Sequence, residues 1–176
     1  MRGVFAVVAA LLSLSAGATL SVGDPAPDFT TQASLGGKEF AYTLSAALKT
    51  GPVVLYFYPA AFTTGCTIEA HNFAEAVDKY KAFGASVIGV SADSLETLNK
   101  FSLSECRSKF PVASDATQSI MKSYDAVLLS RTSYASRTSY VIAPNGRIIY
   151  AYSAMSPDKH VENTLAAVRE WAAARK

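Results

Sequence analysis

Six consecutive residues, Val53-Val54-Leu55-Tyr56-Phe57-Tyr58, are β-branched, aliphatic or aromatic with no polar residue among them. A strand with one wet face alternates. A strand without alternation is buried on both faces, as in the middle of a sheet covered by helices. A second such run, Ala85 to Ser91, follows a segment in which Ala70, Phe73, Val77 and Tyr80 recur at helical spacing and Gly84 supplies a stop. Ser94 opens another helical stretch running to about Arg107, with Leu95, Leu98 and Phe101 inward. Strand, helix, strand, helix in this order implies parallel pairing of the two strands.

The flanking segments add antiparallel elements. Leu35-Gly36-Gly37-Lys38-Glu39-Phe40 reads as a hairpin turn, and Leu44 to Lys49 as a brief helix ended by Thr50-Gly51-Pro52. Phe110 to Ser114 reads as a short edge segment and Thr117 to Tyr124 as a helix. Ser139 to Ala143 and Ile148 to Tyr152 flank Pro144-Asn145-Gly146-Arg147, a hairpin signal. Ser156-Pro157 has the form of an N-cap with proline at the first helical position, opening a last helix through about Ala174. With 176 residues the chain suits one domain, and these patterns give an α/β class with an antiparallel hairpin.

Residues 1–18 stand apart from that pattern. Arg2 supplies a positive start, Val4 to Leu14 an apolar stretch interrupted by Ser13, and Ala16-Gly17-Ala18 a small-x-small site, the form of a signal peptide. The apolar run is shorter than the roughly 20 residues that span a bilayer, so export is expected rather than stable membrane insertion. The destination would be a periplasm in a bacterium, and the secretory pathway or the extracellular space in a eukaryote. The domain is then 19–176. The formal net charge of +2, with no basic cluster, gives no footprint for nucleic acid. Two cysteines and two distant histidines lack paired metal-ligand spacing. Two cysteines in an exported chain fit either a static disulfide or a redox pair.

The chemistry concentrates in Pro59-Ala60-Ala61-Phe62-Thr63-Thr64-Gly65-Cys66, which places Cys66 where a strand-to-helix turn should end. The thiolate is the nucleophile, and the positive end of a helix favours it. Pro59 fixes the backbone leaving the strand, Gly65 permits close approach, and Thr63 sets a hydroxyl three residues before the sulfur. A cysteine serving only as apolar filler, the other reading, needs none of these.

Pro59, Thr63 and Cys66 reproduce the P-x-x-x-[TS]-x-x-C signature, and with Gly65-Cys66-Thr67-Ile68-Glu69-Ala70 the chain resembles the peroxiredoxins of the PrxQ or bacterioferritin-comigratory-protein branch. Gly23 to Phe29, Val87 to Asp93 and Arg137 to Ile142 match further family segments in order. The resemblance implies a thioredoxin-like fold, a central mixed sheet flanked by helices with an N-terminal hairpin. It implies a thiol peroxidase acting on hydrogen peroxide and organic hydroperoxides, with thioredoxin or another thiol as reductant, no cofactor, and a monomer or weak homodimer.

By the same resemblance Cys66 attacks the peroxide and Arg137, rather than Arg131, supports the thiolate and the breaking bond. Thr63 bonds sulfur and peroxide, and Pro59 shields the pocket, which Phe62 and the aromatics near Tyr134 could line. Glu69, one turn beyond Cys66, either orients that arginine or is an ordinary first-turn acid. Many PrxQ chains carry a second cysteine where this one has His71, read here as a partly exposed helix residue. Resolution falls to Cys106, placed near the inward face of the second long helix, one turn beyond the more usual position, here Ser102. The alternatives are a one-cysteine peroxidase served by an external thiol, or a structural Cys66–Cys106 staple. A C-x-x-C reductase is not expected, because Thr63 and Glu69 occupy the partner positions.

Overall fold

The computed structural model describes residues 19–175, so the expected signal peptide lies outside the described residues. Seven strands form one sheet: β1 (Thr30–Leu35), β2 (Lys38–Thr43), β3 (Val53–Phe57), β4 (Ser86–Ser91), β5 (Val112–Ser114), β6 (Thr138–Ile142) and β7 (Ile148–Ser153). Their spatial order is β2-β1-β5-β4-β3-β6-β7. β3 pairs parallel with β4, and β4 with β5, while β1/β2, β1/β5, β3/β6 and β6/β7 are antiparallel. The mixed sheet and the N-terminal hairpin match the thioredoxin-like expectation. Gly36 and Gly37 both take positive φ, 58° and 74°, which closes the two-residue β1–β2 turn.

Every residue of β3 is buried, because the pleat sends alternate side chains into two separate cores. Val54, Tyr56 and Tyr58 join Phe73, Val77 and Tyr80 of α2 (Thr64–Ala82), Leu98 and Phe101 of α3 (Leu95–Ser104), and Leu165 and Val168 of α5 (His160–Ala173). Val53, Leu55 and Phe57 join Leu44 of α1 (Leu44–Ala47) and Ile120 and Met121 of α4 (Ser119–Ser123). Helices therefore cover both faces. Among the described residues no helix is long and apolar enough to cross a membrane.

Four local expectations are corrected. β5 is not an edge strand. It sits between β1 and β4, where Val112 and Ala113 are buried. α3 ends at Ser104 with Glu105 as its C-cap, so Cys106 lies past the helix rather than on it. Leu95 is only half-buried; Leu98 and Phe101 carry the inward face. The last helix begins at His160, because the Ser156 hydroxyl donates to the Asp158 carboxylate at 2.7 Å and caps no helical N–H.

Candidate active site

The turn after β3 is tied to the end of β4. The Tyr58 N–H donates to the Val90 carbonyl at 3.1 Å, and Asp93 accepts from the Ala61 N–H at 2.8 Å and from the Ser91 hydroxyl at 2.7 Å. Phe62, at φ 63°, completes the turn with its ring half-exposed against Phe101. Thr63 is the N-cap of α2, yet its hydroxyl donates to the Ala60 carbonyl at 2.9 Å and caps no helical N–H. The N–H groups opening α2 consequently keep no side-chain acceptor, as a site for a polar ligand requires. Thr63 makes no hydrogen bond to the sulfur and keeps its lone pairs as acceptors.

Cys66 sits in the first turn of α2 with its thiol free and buried. The Arg137 Nη2 donates to Cys66 Sγ at 3.5 Å, Nη1 to Glu69 Oε2, and Nε to the Met155 carbonyl at 2.9 Å. All three guanidinium nitrogens are thus engaged, which fixes the plane of the fork. Arg137 is 4% exposed and Glu69 0%, so this is a buried ion pair that hydrogen bonds hold in one geometry. The structure thus brings Glu69 against the arginine, beyond its place near the helix start. A Cβ on Gly65 would lie 2.9 Å from Arg137 Nη2, so glycine is what lets the guanidinium reach the sulfur. Arg131 lies exposed in the loop before β6.

Burial pushes the Glu69 carboxyl up to about 8, against the opposing pull of the Arg137 charge and its hydrogen bond. Its Oε1 has no hydrogen-bond partner. That oxygen faces His160 Nδ1 at 3.6 Å. His160 and Ser139 escaped the sequence reading, since no spacing links either to Cys66.

Pro59 lines a cavity of about 280 Å³ with Asp93, Gln118, Ser133 and Tyr134 beside this turn. Phe62 packs against Phe101 and does not line it.

Cys106 is buried and free in the same aromatic core. Burial, and secondarily the Glu105 carboxylate, push its thiol well above the ordinary range. Its neighbours are clamped to α2 on both sides. His71 Nε2 meets Glu105 Oε2 at 2.8 Å, and Arg107 Nη1 meets Glu75 Oε1 at 3.2 Å. His71 is thus partly exposed, as expected, and engaged with the Cys106 segment. Arg107 and Ser108, which follow the cysteine, adopt φ of 50° and 55°. Ser102 is occupied structurally: its buried oxygen accepts the Gly37 N–H at 3.0 Å and joins α3 to the hairpin.

A sheet of this order, with a cysteine opening the helix after a central strand, places the molecule in the thioredoxin-like class. The sequence matches the AhpC/TSA family over residues 22–151. It is 35% identical over 147 residues to peroxiredoxin Q, chloroplastic, of Oryza sativa subsp. japonica, covering 83% of this chain and 65% of that one. It is 33% identical over 153 residues to a putative peroxiredoxin of Mycobacterium tuberculosis strain H37Rv, covering 85% and 97%. Among solved structures, peroxidoxin BcpB from Mycobacterium tuberculosis superposes with TM-score 0.77 at 32% identity over 85% of this chain and 96% of that one. A PrxQ mutant from Xylella fastidiosa gives 0.78 at 26%, covering 89% and 99%. The chain belongs to the AhpC/TSA family of peroxiredoxins, in the PrxQ or bacterioferritin-comigratory-protein branch.

Proposed function

We propose that the protein is a thiol-dependent peroxidase that reduces hydrogen peroxide and organic hydroperoxides. The observation that carries this reading is the Arg137 Nη2 to Cys66 Sγ contact of 3.5 Å at the first turn of α2. The Cys66 thiolate attacks one peroxide oxygen; an S–O bond forms and the O–O bond breaks. Sulfur is oxidised by two electrons to the sulfenic acid, and the other oxygen leaves as water or alcohol after taking a proton. Arg137 and the uncapped N–H groups of α2 stabilise charge on the separating oxygens. Thr63, its proton already given to Ala60, accepts from the peroxide hydroxyl, and Pro59 walls the entrance.

The Cys106 thiol then attacks the sulfenic sulfur, forming the Cys66–Cys106 disulfide and releasing water. Thioredoxin or another thiol reductant returns both thiols. Cys106 begins wholly buried beyond the end of α3, so this step requires the segment around it to unwind. That burial also favours the second reading, in which Cys66 sulfenic acid is resolved by an external thiol. The mature chain works as a monomer or weak homodimer in an exported compartment, which N-terminal sequencing of the exported fraction tests through cleavage after Ala18.

Intact-mass analysis of the reduced protein after one equivalent of hydrogen peroxide separates the alternatives. Loss of two hydrogens in the wild type, with oxygen added to Cys66 in Cys106→Ser, is the two-cysteine result. Oxygen addition alone in the wild type means the external-thiol route. An unmodified Cys66 overturns the peroxidase.

A further inference from the structure

The Cys66–Arg137–Glu69 constellation does not end at Glu69. Its second oxygen, Oε1, is buried without a hydrogen-bond partner, an arrangement costly for a carboxylate unless a proton occupies the gap it faces. Across that gap of 3.6 Å stands Nδ1 of His160, on a ring that is 0% exposed. The other ring nitrogen, Nε2, lies 2.9 Å from the Ala154 carbonyl and must therefore carry the N–H of the neutral ring and keep it in the protonated one. Nδ1 is then free to accept, and the Ser139 hydroxyl at 2.8 Å can turn to donate to it or to accept from it. The pocket thus accommodates one proton on either side of the Oε1–Nδ1 gap.

We propose that His160 is a positioning residue of the reactive site, sharing one proton with Glu69 Oε1 so that the buried group stays electrically neutral while Cys66 is a thiolate. With the thiolate negative and Arg137 positive, a single extra proton on the Glu69–His160 pair brings the sum to zero. Without it the same buried volume holds a net negative charge, which opposes thiolate formation. The charged and titratable groups around the ring are Glu69 and Cys66 from α2, Arg137 from the start of β6, and Tyr152 of β7, whose ring stacks edge-on at 4.9 Å. Lys159 and Glu162 on its own helix pair with each other at the surface. Burial raises the affinity of Glu69 for a proton and lowers that of His160, so the pair holds one proton rather than two, resting on the Glu69 side of the gap.

This inference rests on Cys66 being the reacting thiol, and the test separates the two. Cys66 alkylation by iodoacetamide is followed against pH in Cys106→Ser, with and without His160→Leu and His160→Gln, beside thermal unfolding of each. His160→Leu should slow alkylation about tenfold at mildly acidic pH, with the deficit closing at alkaline pH. His160→Gln, whose amide oxygen can accept the shared proton, should recover part of the loss. Equal alkylation profiles in folded wild-type and His160→Leu backgrounds would overturn the proposal and leave the peroxidase standing. An inert Cys66 in the parent would overturn both. If His160→Leu does not fold, ring nitrogen-15 spectra decide. A His160 Nδ1 resonance that moves in Cys66→Ser supports the shared proton; one that stays fixed as a plain neutral acceptor overturns it.

Discussion

The two cysteines occupy one aromatic core and are held in opposite ways. Cys66 sits in a finished setting, with a guanidinium donor on its sulfur, a carboxylate fixing that donor, and a helix start beneath it. Cys106 lies beyond a helix end, has no cation on its sulfur, and is kept protonated by burial. On the proposed mechanism the first thiol reacts where it stands. On the proposed two-cysteine route the second reacts after its backbone moves. Both are buried, so what separates two residues of the same type is the guanidinium and helix start at one sulfur and the bare apolar surroundings of the other.

The largest effect expected from breaking this contrast is Cys66→Ser, which should abolish peroxide consumption, read as loss of any mass change on peroxide treatment. Arg137→Leu comes next, with peroxide reactivity of Cys66 falling about 100-fold to 1000-fold in stopped-flow measurements, because a donor to the developing charge is removed and Glu69 is left buried without its cation. Cys106→Ser should leave the first oxidation within about twofold of wild type while removing the disulfide, since its thiol contributes nothing to the Cys66 setting. Steady-state turnover with a dithiol reductant would then drop, and an unchanged turnover would favour the external-thiol route.

A smaller effect should follow from loosening the clamp. His71→Ala combined with Glu75→Ala removes both contacts on Glu105 and Arg107 and should speed disulfide formation about twofold to fivefold, because exposed ion pairs are individually weak. The smallest is a pH signature. Glu69 has a folded-state pKa near 8 against an ordinary 4.5, so its contribution to stability is complete below 4.5 and is lost as pH rises through about 8. His160, lowered from 6.5, contributes the reverse: its share is present above 6.5 and lost as pH falls. The decline from Glu69 should therefore be visible in melting temperature between pH 6.5 and 8, and Glu69→Gln should flatten it.

Much of this was readable from local pattern. Val53 to Tyr58 had to be a doubly buried strand, and the Pro59–Cys66 turn had to place a thiol at a helix start; both follow from residues adjacent in the chain. Arg137 and Glu69 came through family resemblance, since no spacing rule joins residues so far apart in the sequence. β5 was misplaced because three residues carry little signal and its burial comes from pairing with Ser34 and Gly89, both distant. The start of α5 was misplaced because Ser156 and Pro157 satisfy a helix-start rule that the Asp158 side chain overrides. His160 was invisible for the same reason as β5. Its meaning lies in Glu69, Ser139 and Ala154, brought to it by α2, β6 and the loop after β7.

Left-handed backbone costs an ordinary residue about 1–2 kcal/mol, and Arg107 and Ser108 both adopt it in the reduced form. On the proposed two-cysteine route, unwinding would let them relax, and the strain would favour that opening. A glycine at Ser108, which leaves the Arg107–Glu75 contact in place, would ease that tension and raise the melting temperature. It would also leave less driving force for Cys106 to emerge, so a variant selected for heat resistance at this turn should form the proposed disulfide more slowly.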